Sequence, residues 1–495
     1  MQFLTLTVLL GSASAFASPF AQQLGMTKLH LRRNANSNVK FRGGSSESEL
    51  FSTADPSSSS LETEILDASI LPSTPASGGT MTLTASTFNL MKACLGAGLL
   101  SLPSGVAAFG DSPRALIPAT AIFTFLGFLS SYSFYTIGKL CQQTESSSMA
   151  EAWTKIVGKD SSWLISLCCF ITPLGAALAY SIILGDVFSN LAKTVGLTGV
   201  LAAREASILL VTSGLLYPLC MLKNLSALAP VSVIGIGGVL VTAAFMAVRM
   251  LGFANPATAK VLSAAVASPK LLPKFGTANN FLSPSVLVLV SMGATAYLAH
   301  FNAPDFYNEL KENSMKRFKL LSGMGFLGTA LVSIAVMCFG FATFGANSSG
   351  VILNNYASSD LFACFCRVLM GVSIIGSYPF VFSGMKNGFL QLYGKDVKDI
   401  SEKENTNVVR AGLGAVTVLA LLLKNAGFVV SFNGAVMGSA IIYLFPSMMF
   451  LKKNKGVQNM RVERLFNQAL VALGVVLGVV GGAVTVLSSF FPHLL

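Results

Sequence analysis

Eleven apolar segments between Thr84 and Phe491 decide most of what this chain can become. They run over 84–108, 115–138, 162–192, 205–222, 226–250, 283–306, 318–345, 360–386, 408–424, 426–450 and 464–491. Most reach the roughly 20 residues that a helix needs to cross the hydrocarbon core of a bilayer. Segment 9 is the weakest, since Arg410 and Lys424 leave a short uncharged run between them; long cationic side chains at helix ends can snorkel to the interface. Charge is scarce throughout. Asp, Glu, Lys and Arg make up 11% of the chain, against roughly 25% in a soluble domain, and the mean hydropathy is +0.67. Such a surface cannot be kept in water, which excludes the string of soluble domains that 495 residues would otherwise suggest. The expected fold class is an all-α integral membrane protein. Segments 1–5 occupy 84–250, a loop 251–282, segments 6–10 283–452, and a loop with segment 11 453–495.

The net charge of +12 is then a matter of topology. Lys and Arg fall about three to one in the N-terminal tail and the loops 2–3, 4–5, 6–7, 8–9 and 10–11, over the loops of the other face. The excess of cations on one side predicts an inner N-terminus and an outer C-terminus. No zinc-finger spacing, P-loop or basic–aromatic patch supports a nucleic-acid partner. The eight cysteines lie in or beside apolar runs without metal-ligand spacing, and are expected to pack.

Residues 1–83 differ from the rest. Phe3–Leu10 is an apolar run too short to span, and Ala13-Ser14-Ala15 offers a small-x-small cleavage site, which gives a signal peptide over 1–15. The tail 16–83 is Ser-rich, first basic and then acidic. The run Ser12-Ala13-Ser14-Ala15-Phe16-Ala17-Ser18-Pro19 resembles the bipartite plastid presequence of diatoms and related algae. That resemblance implies a plastid envelope location; an ordinary signal peptide with a disordered tail, and a plasma or vacuolar membrane, is the alternative. A cleaved secretory signal alone would leave the N-terminus on the wrong side for the charge bias, and onward import removes the conflict.

Ionisable residues inside the segments are few: Lys92, Asp186, His300, Asp305 and Arg367. Each is costly in hydrocarbon, and so is a candidate for function or for a paired structural ion. Segment 1 carries Gly96-Ala97-Gly98 with Pro103 five residues on. A membrane helix can break there if the unwound backbone lines a cavity, and the freed N–H groups suit a carboxylate. Segment 6, five segments later, carries Gly293 to His300 and then Pro304. Interruptions at corresponding places in two five-helix halves point to the inverted repeat of secondary transporters, with substrate at the midplane.

The run NLMKACLGAGLLSLP (89–103) resembles the first-helix pattern of the amino acid/auxin permease family, and SVLVLVSMGATAYLAHFNAPDFYNEL (285–310) its sixth helix. AYSIILGD in segment 3, GSYPFVFSGMKNGF in segment 8 and GFVVSFNGAVMGSAIIYLFPSMMFLK in segment 10 extend the similarity in family order. The resemblance implies a LeuT-type 5+5 inverted-repeat fold of about 11 transmembrane helices, helices 1 and 6 discontinuous, moving neutral amino acids with a coupling cation. It implies that backbone at Leu95, Gly96, Ala97 and Gly98 holds the substrate carboxylate and that carbonyls near Ala296 and Tyr297 receive its ammonium. Tyr180 closes over the site, and His300 gates it or carries a proton, unless it is a hydrogen-bonded packing residue. Asp186 and Arg367 are expected to be structural partners.

Lys92 departs from the sodium-coupled animal members, in which this position resembles an Asn that helps ligate sodium. A lysine has no oxygen to offer; its ammonium can occupy the cation site instead, hydrogen-bonded to Ser373 and Ser377, which sit one turn apart on segment 8. Proton coupling or uniport is therefore expected rather than sodium symport. No cofactor, metal site or catalytic motif is expected, so the chain is not an enzyme. Two other functions stay open: a transporter-like amino acid sensor, and a carrier of another small organic acid or amine on the same fold.

Overall fold

The computed structural model describes residues 79–222, 229–254, 271–395, 400–457 and 460–491. The expected signal peptide and nearly all of the tail lie outside the described residues. All eleven segments are helical, with ends within a few residues of those expected. Nine helices among the described residues are long and apolar enough to cross a membrane, and a tenth is the bent pair Leu83–Cys94 and Gly98–Ala107 of segment 1, which turns through 51°. Segment 4 falls short of a full span. It runs as Arg204–Val211, a π turn Thr212–Leu216 and Tyr217–Cys220.

Local chemistry fixes where the helices start. The Thr82 hydroxyl accepts the Ala85 N–H, Ser314 accepts that of Arg317, and Asp360 accepts those of Phe362 and Ala363. Side-chain acceptors at these positions satisfy donors that a first turn cannot. Segment 9 begins earlier than its apolar run, at Glu402, because Ser401 and Glu404 form a reciprocal capping box. Its Arg410 is not left in lipid: Nε donates to the Tyr217 hydroxyl of segment 4 at 3.2 Å. The linker 139–161 carries the short helix Met149–Ile156. There Lys155, then Ser147, holds the Glu151 carboxyl down at about 2.

Packing surrounds segments 1 and 6 with the other helices. Segment 8 (Leu361–Leu392) lies along segment 3 (Ser162–Thr194) and segment 5 (Ala229–Ala254). Segment 7 (Met315–Phe344) lies against segments 1 and 2, and segment 10 against segment 6. Several buried hydroxyls inside helices bond back to the carbonyl four residues earlier, as Thr87, Thr136, Thr242, Thr329 and Thr417 do. This satisfies them without a partner helix.

At the end of the bundle that carries loop 345–360 the buried ions are paired. Asp186 meets Arg204 at 2.9 Å and accepts from Asn354, while Arg204 also donates to the carbonyls of Ala420 and Leu423 at the end of segment 9. Arg367, fully buried, donates to the carbonyls of Leu353, Tyr356 and Ala357. Arg249 of segment 5 pairs with Asp360 at 2.8 Å. Together these ions pin loop 345–360 to segments 3, 5 and 8. Asp360 is almost wholly buried, so removing its partner leaves an uncompensated charge, which costs about 3–5 kcal/mol. Arg249→Met is therefore expected to lower thermal stability in detergent well beyond what an exposed Arg→Met change does; equal melting of variant and wild type would contradict the ion's structural role.

Candidate functional site

Segment 1 unwinds after Cys94. The Leu95 N–H bonds to Met91 O and the Gly96 N–H to Cys94 O, and a 3-10 turn, Ala97–Ser101, leads into Leu102–Ala107. A first helical turn leaves its own N–H groups without intrahelical acceptors, which suits the start of this turn, where Gly96 and Gly98 line a cavity, to a ligand. Segment 6 breaks at Tyr297-Leu298-Ala299, between Val286–Ala296 and the turn His300–Asn302. The two breaks face each other: a methyl built on Gly98 would touch Thr295 Cγ2 at 3.5 Å and Val430 Cγ1 at 3.4 Å.

A cavity of about 130 Å³ lies beside these breaks, lined by residues of segments 1, 3, 6, 8 and 10. Its lining includes Gly96 and Gly98, Thr172, Gly175 and Tyr180, Thr295, Leu298 and Phe301, Phe380 and Gly384, and Asn433. No charged side chain is among the described residues that line it. Phe380, Val381 and Gly384 come from the half of segment 8 nearer the basic loops, while the segment 3 contributors run from Thr172 to Tyr180 across the middle of that helix. Ser101 Oγ donates to Gly350 O at 2.6 Å, which ties the second half of segment 1 to loop 345–360. The Tyr180 hydroxyl lies against Gly96, 2.8 Å from where a Cβ would stand.

Of the expected substrate residues, Gly96, Gly98 and Tyr180 are brought together here. Leu95, Ala296, Tyr297 and His300 are not cavity-lining residues. Leu95 packs into the core, and the Tyr297 hydroxyl donates to Phe123 O on segment 2. The Tyr297 carbonyl already accepts the Ala299 N–H. His300 faces segment 2 as well: Nε2 lies 2.9 Å from Ser130 O, and its ring packs between Phe134 and Phe326. The reason is angular. Helix 6 offers the cavity Thr295, Leu298 and Phe301, spaced three apart, and the residues between them turn to the scaffold. Asn433 and Thr172 were also missed, because on paper they look like any polar residue in a helix; a third break signal, the π turn Gly434–Gly438 that follows Asn433, has no clear sequence signature.

Next to the cavity stands the ionic part of the site. Lys92 Nζ donates to Ser373 Oγ at 2.9 Å, while Ser377 Oγ turns back to Ser373 O at 2.9 Å. Lys92 therefore meets one of the two expected hydroxyls. Segment 5 closes the third side: a methyl on Gly235 would come within 2.5 Å of Lys92 Nζ and 2.6 Å of Ser373 Oγ. The ammonium fills the space where segments 1, 5 and 8 converge. No group of three or more His, Cys, Asp or Glu residues suited to a metal is present among the described residues.

The profile of the family described as transmembrane amino acid transporter protein matches residues 79–488. A Danio rerio protein named "Putative sodium-coupled neutral amino acid transporter 11" is 24% identical over 422 residues, 84% of this chain and 88% of its own. The Arabidopsis thaliana "Amino acid transporter AVT6E" is 24% identical over 410 residues, 80% and 81% of the two chains. The match runs through both broken helices, the cavity and the Lys92 site, and so the chain belongs to the transmembrane amino acid transporter family, a family of membrane carriers and not of enzymes.

Proposed function

We propose that this protein is a secondary transporter of neutral amino acids, built on a LeuT-type 5+5 inverted repeat and working by alternating access without sodium. The observation that carries this reading is the uncharged cavity set between two opposed helix breaks, with Lys92 held on Ser373 at its edge. An α-amino acid brings a carboxylate, for which the N–H groups after Gly96 are suited, and a side chain that meets no charge. The segment 8 lining on the basic-loop side, with the second half of segment 1 tied to loop 345–360, fits an inward-directed state of such a cycle. Relatives carry names that specify sodium. Here a fixed ammonium supplies positive charge where segments 1, 5 and 8 meet, which favours proton-linked transport or uniport.

Uptake into proteoliposomes under imposed proton or sodium gradients tests this directly. Neutral amino acids should accumulate with an inward proton gradient and without sodium. No uptake of any amino acid sinks the transport reading, while sodium-dependent, pH-insensitive uptake overturns only the coupling. The presequence resemblance of residues 12–19 supports a plastid envelope location. A fluorescent fusion of residues 1–80 should enter the plastid and Phe16→Ala should divert it; plasma-membrane or vacuolar fluorescence refutes that route.

A further inference from the structure

We infer that Thr172 and Asn433 form a side-chain subsite that reads a hydroxyl on the substrate's β-carbon, so that the transporter selects serine over alanine. The inference rests on the amino acid transport reading and adds a specificity to it. Three observations carry it. Thr172 lines the cavity from segment 3, is 3% exposed, and its Oγ1 makes no hydrogen bond among the described residues. Ser130, Ser133, Thr212, Ser291, Ser333 and Ser447 also keep a buried hydroxyl without a partner among the described residues, but none of them lines the cavity. A buried hydroxyl left without a partner costs about 1–3 kcal/mol, which a ligand hydroxyl can recover.

Asn433, 6% exposed, faces Thr172 across the cavity wall and donates from Nδ2 to the Thr172 carbonyl at 3.4 Å. Its Oδ1 is directed at Gly175, only 2.6 Å from where a Cβ would stand. Segment 3 thus gives up a side chain at 175 and leaves the amide oxygen at the cavity as an acceptor. The position is set by the π turn that starts at Gly434, and such turns re-aim side chains at functional sites. One amide oxygen and one hydroxyl can together accept from and donate to a single substrate hydroxyl.

Size gives the third argument. A cavity of about 130 Å³ is close to the engineered apolar cavity of about 150 Å³ that holds benzene, a ligand of six carbons. Serine, with seven non-hydrogen atoms, is near that limit, whereas leucine and glutamine exceed it. Val381 and Gly384 of segment 8 also line the cavity, and a methyl on Gly384 would sit in ordinary contact with Pro173 Cγ at 3.5 Å. That wall can be tightened without a clash.

The test compares initial uptake of serine and alanine by the full chain in proteoliposomes. Wild type should favour serine about tenfold, the ratio expected for about 1.4 kcal/mol. Asn433→Leu and Thr172→Val, both close in volume to the residues they replace, should each bring the serine-to-alanine ratio down towards one. Gly384→Ala should lower uptake of the larger competitor threonine more than that of serine. Equal handling of serine and alanine by wild type overturns the subsite while leaving transport intact. A ratio unchanged in both variants, with uptake still measurable, overturns the assignment to these residues. Should Asn433→Leu fail to fold, Thr172→Val alone decides. Absence of uptake of either amino acid by wild type removes the transport reading beneath it.

Discussion

Lys92→Met should lower proton-driven uptake by about ten- to a hundredfold while leaving the protein folded. The ammonium donates to Ser373 Oγ at 2.9 Å and stands against Gly235. A hydrogen bond to a charged group contributes about 1.5–3 kcal/mol, and each 1.4 kcal/mol is tenfold. Methionine matches the stem in length, so the loss reports the charge rather than packing. Lys92→Asn asks a sharper question. Its side-chain carbonyl restores an oxygen ligand beside Ser373, and hard cations take oxygen ligands. The expected result is uptake that sodium stimulates and a pH gradient no longer drives. If Lys92→Asn retained full proton coupling, the lysine would be a packing residue only. Gly235→Ala provides a check from the third helix: its methyl enters the space between Lys92 Nζ and Ser373 Oγ, and it should weaken coupling without removing either group.

Much of this arrangement was legible before any coordinates. Apolar run length gave the helices, because a bilayer imposes a length that a soluble core does not. Gly96-Ala97-Gly98 and the Gly293–Pro304 stretch gave both breaks, since few other residues allow a membrane helix to unwind. Lys92 beside Ser373 followed from the family resemblance, which implies segment 8 hydroxyls at the cation site, joined to the rule that a cation in hydrocarbon must find a partner. What stayed hidden was rotation. Apolar residues surround every membrane helix, so no stripe separates the side that faces the cavity from the side that faces lipid or neighbours. His300 is singled out for its imidazole and Tyr297 for its backbone carbonyl, and the side chains of both turn to segment 2. Thr295, Leu298 and Phe301 carry less chemistry and line the cavity. Asp186 and Arg367 were legible as structural ions, because each lies near a loop from which partners can reach it.

Rotation is also what the last experiment probes. Gly434→Ala should cost more than any other single-methyl addition in segment 10, and should abolish uptake or folded yield. The added methyl would overlap the Ser291 carbonyl oxygen of segment 6 and crowd Thr295 Oγ1, 2.5 Å away. A backbone carbonyl cannot swing aside as a side chain can, so segment 10 must retreat from segment 6. That retreat breaks the bond from Thr295 Oγ1 to Val430 O, 2.7 Å long, and carries Asn433 away from Thr172. Overpacking of this kind costs about 1–3 kcal/mol before any lost hydrogen bond is counted. A matched control exists in the same fold. Gly414 in segment 9 has nothing within 4 Å of a built Cβ, and Gly→Ala in an open helix interior stabilises by roughly 0.5–1 kcal/mol. Gly414→Ala should therefore keep or raise the melting temperature that Gly434→Ala lowers. Melting curves and uptake for the two variants separate helix propensity from close approach. Equal behaviour of the pair would show that segment 10 does not need to touch segment 6 at this point, and would remove the contact that places Asn433 at the cavity.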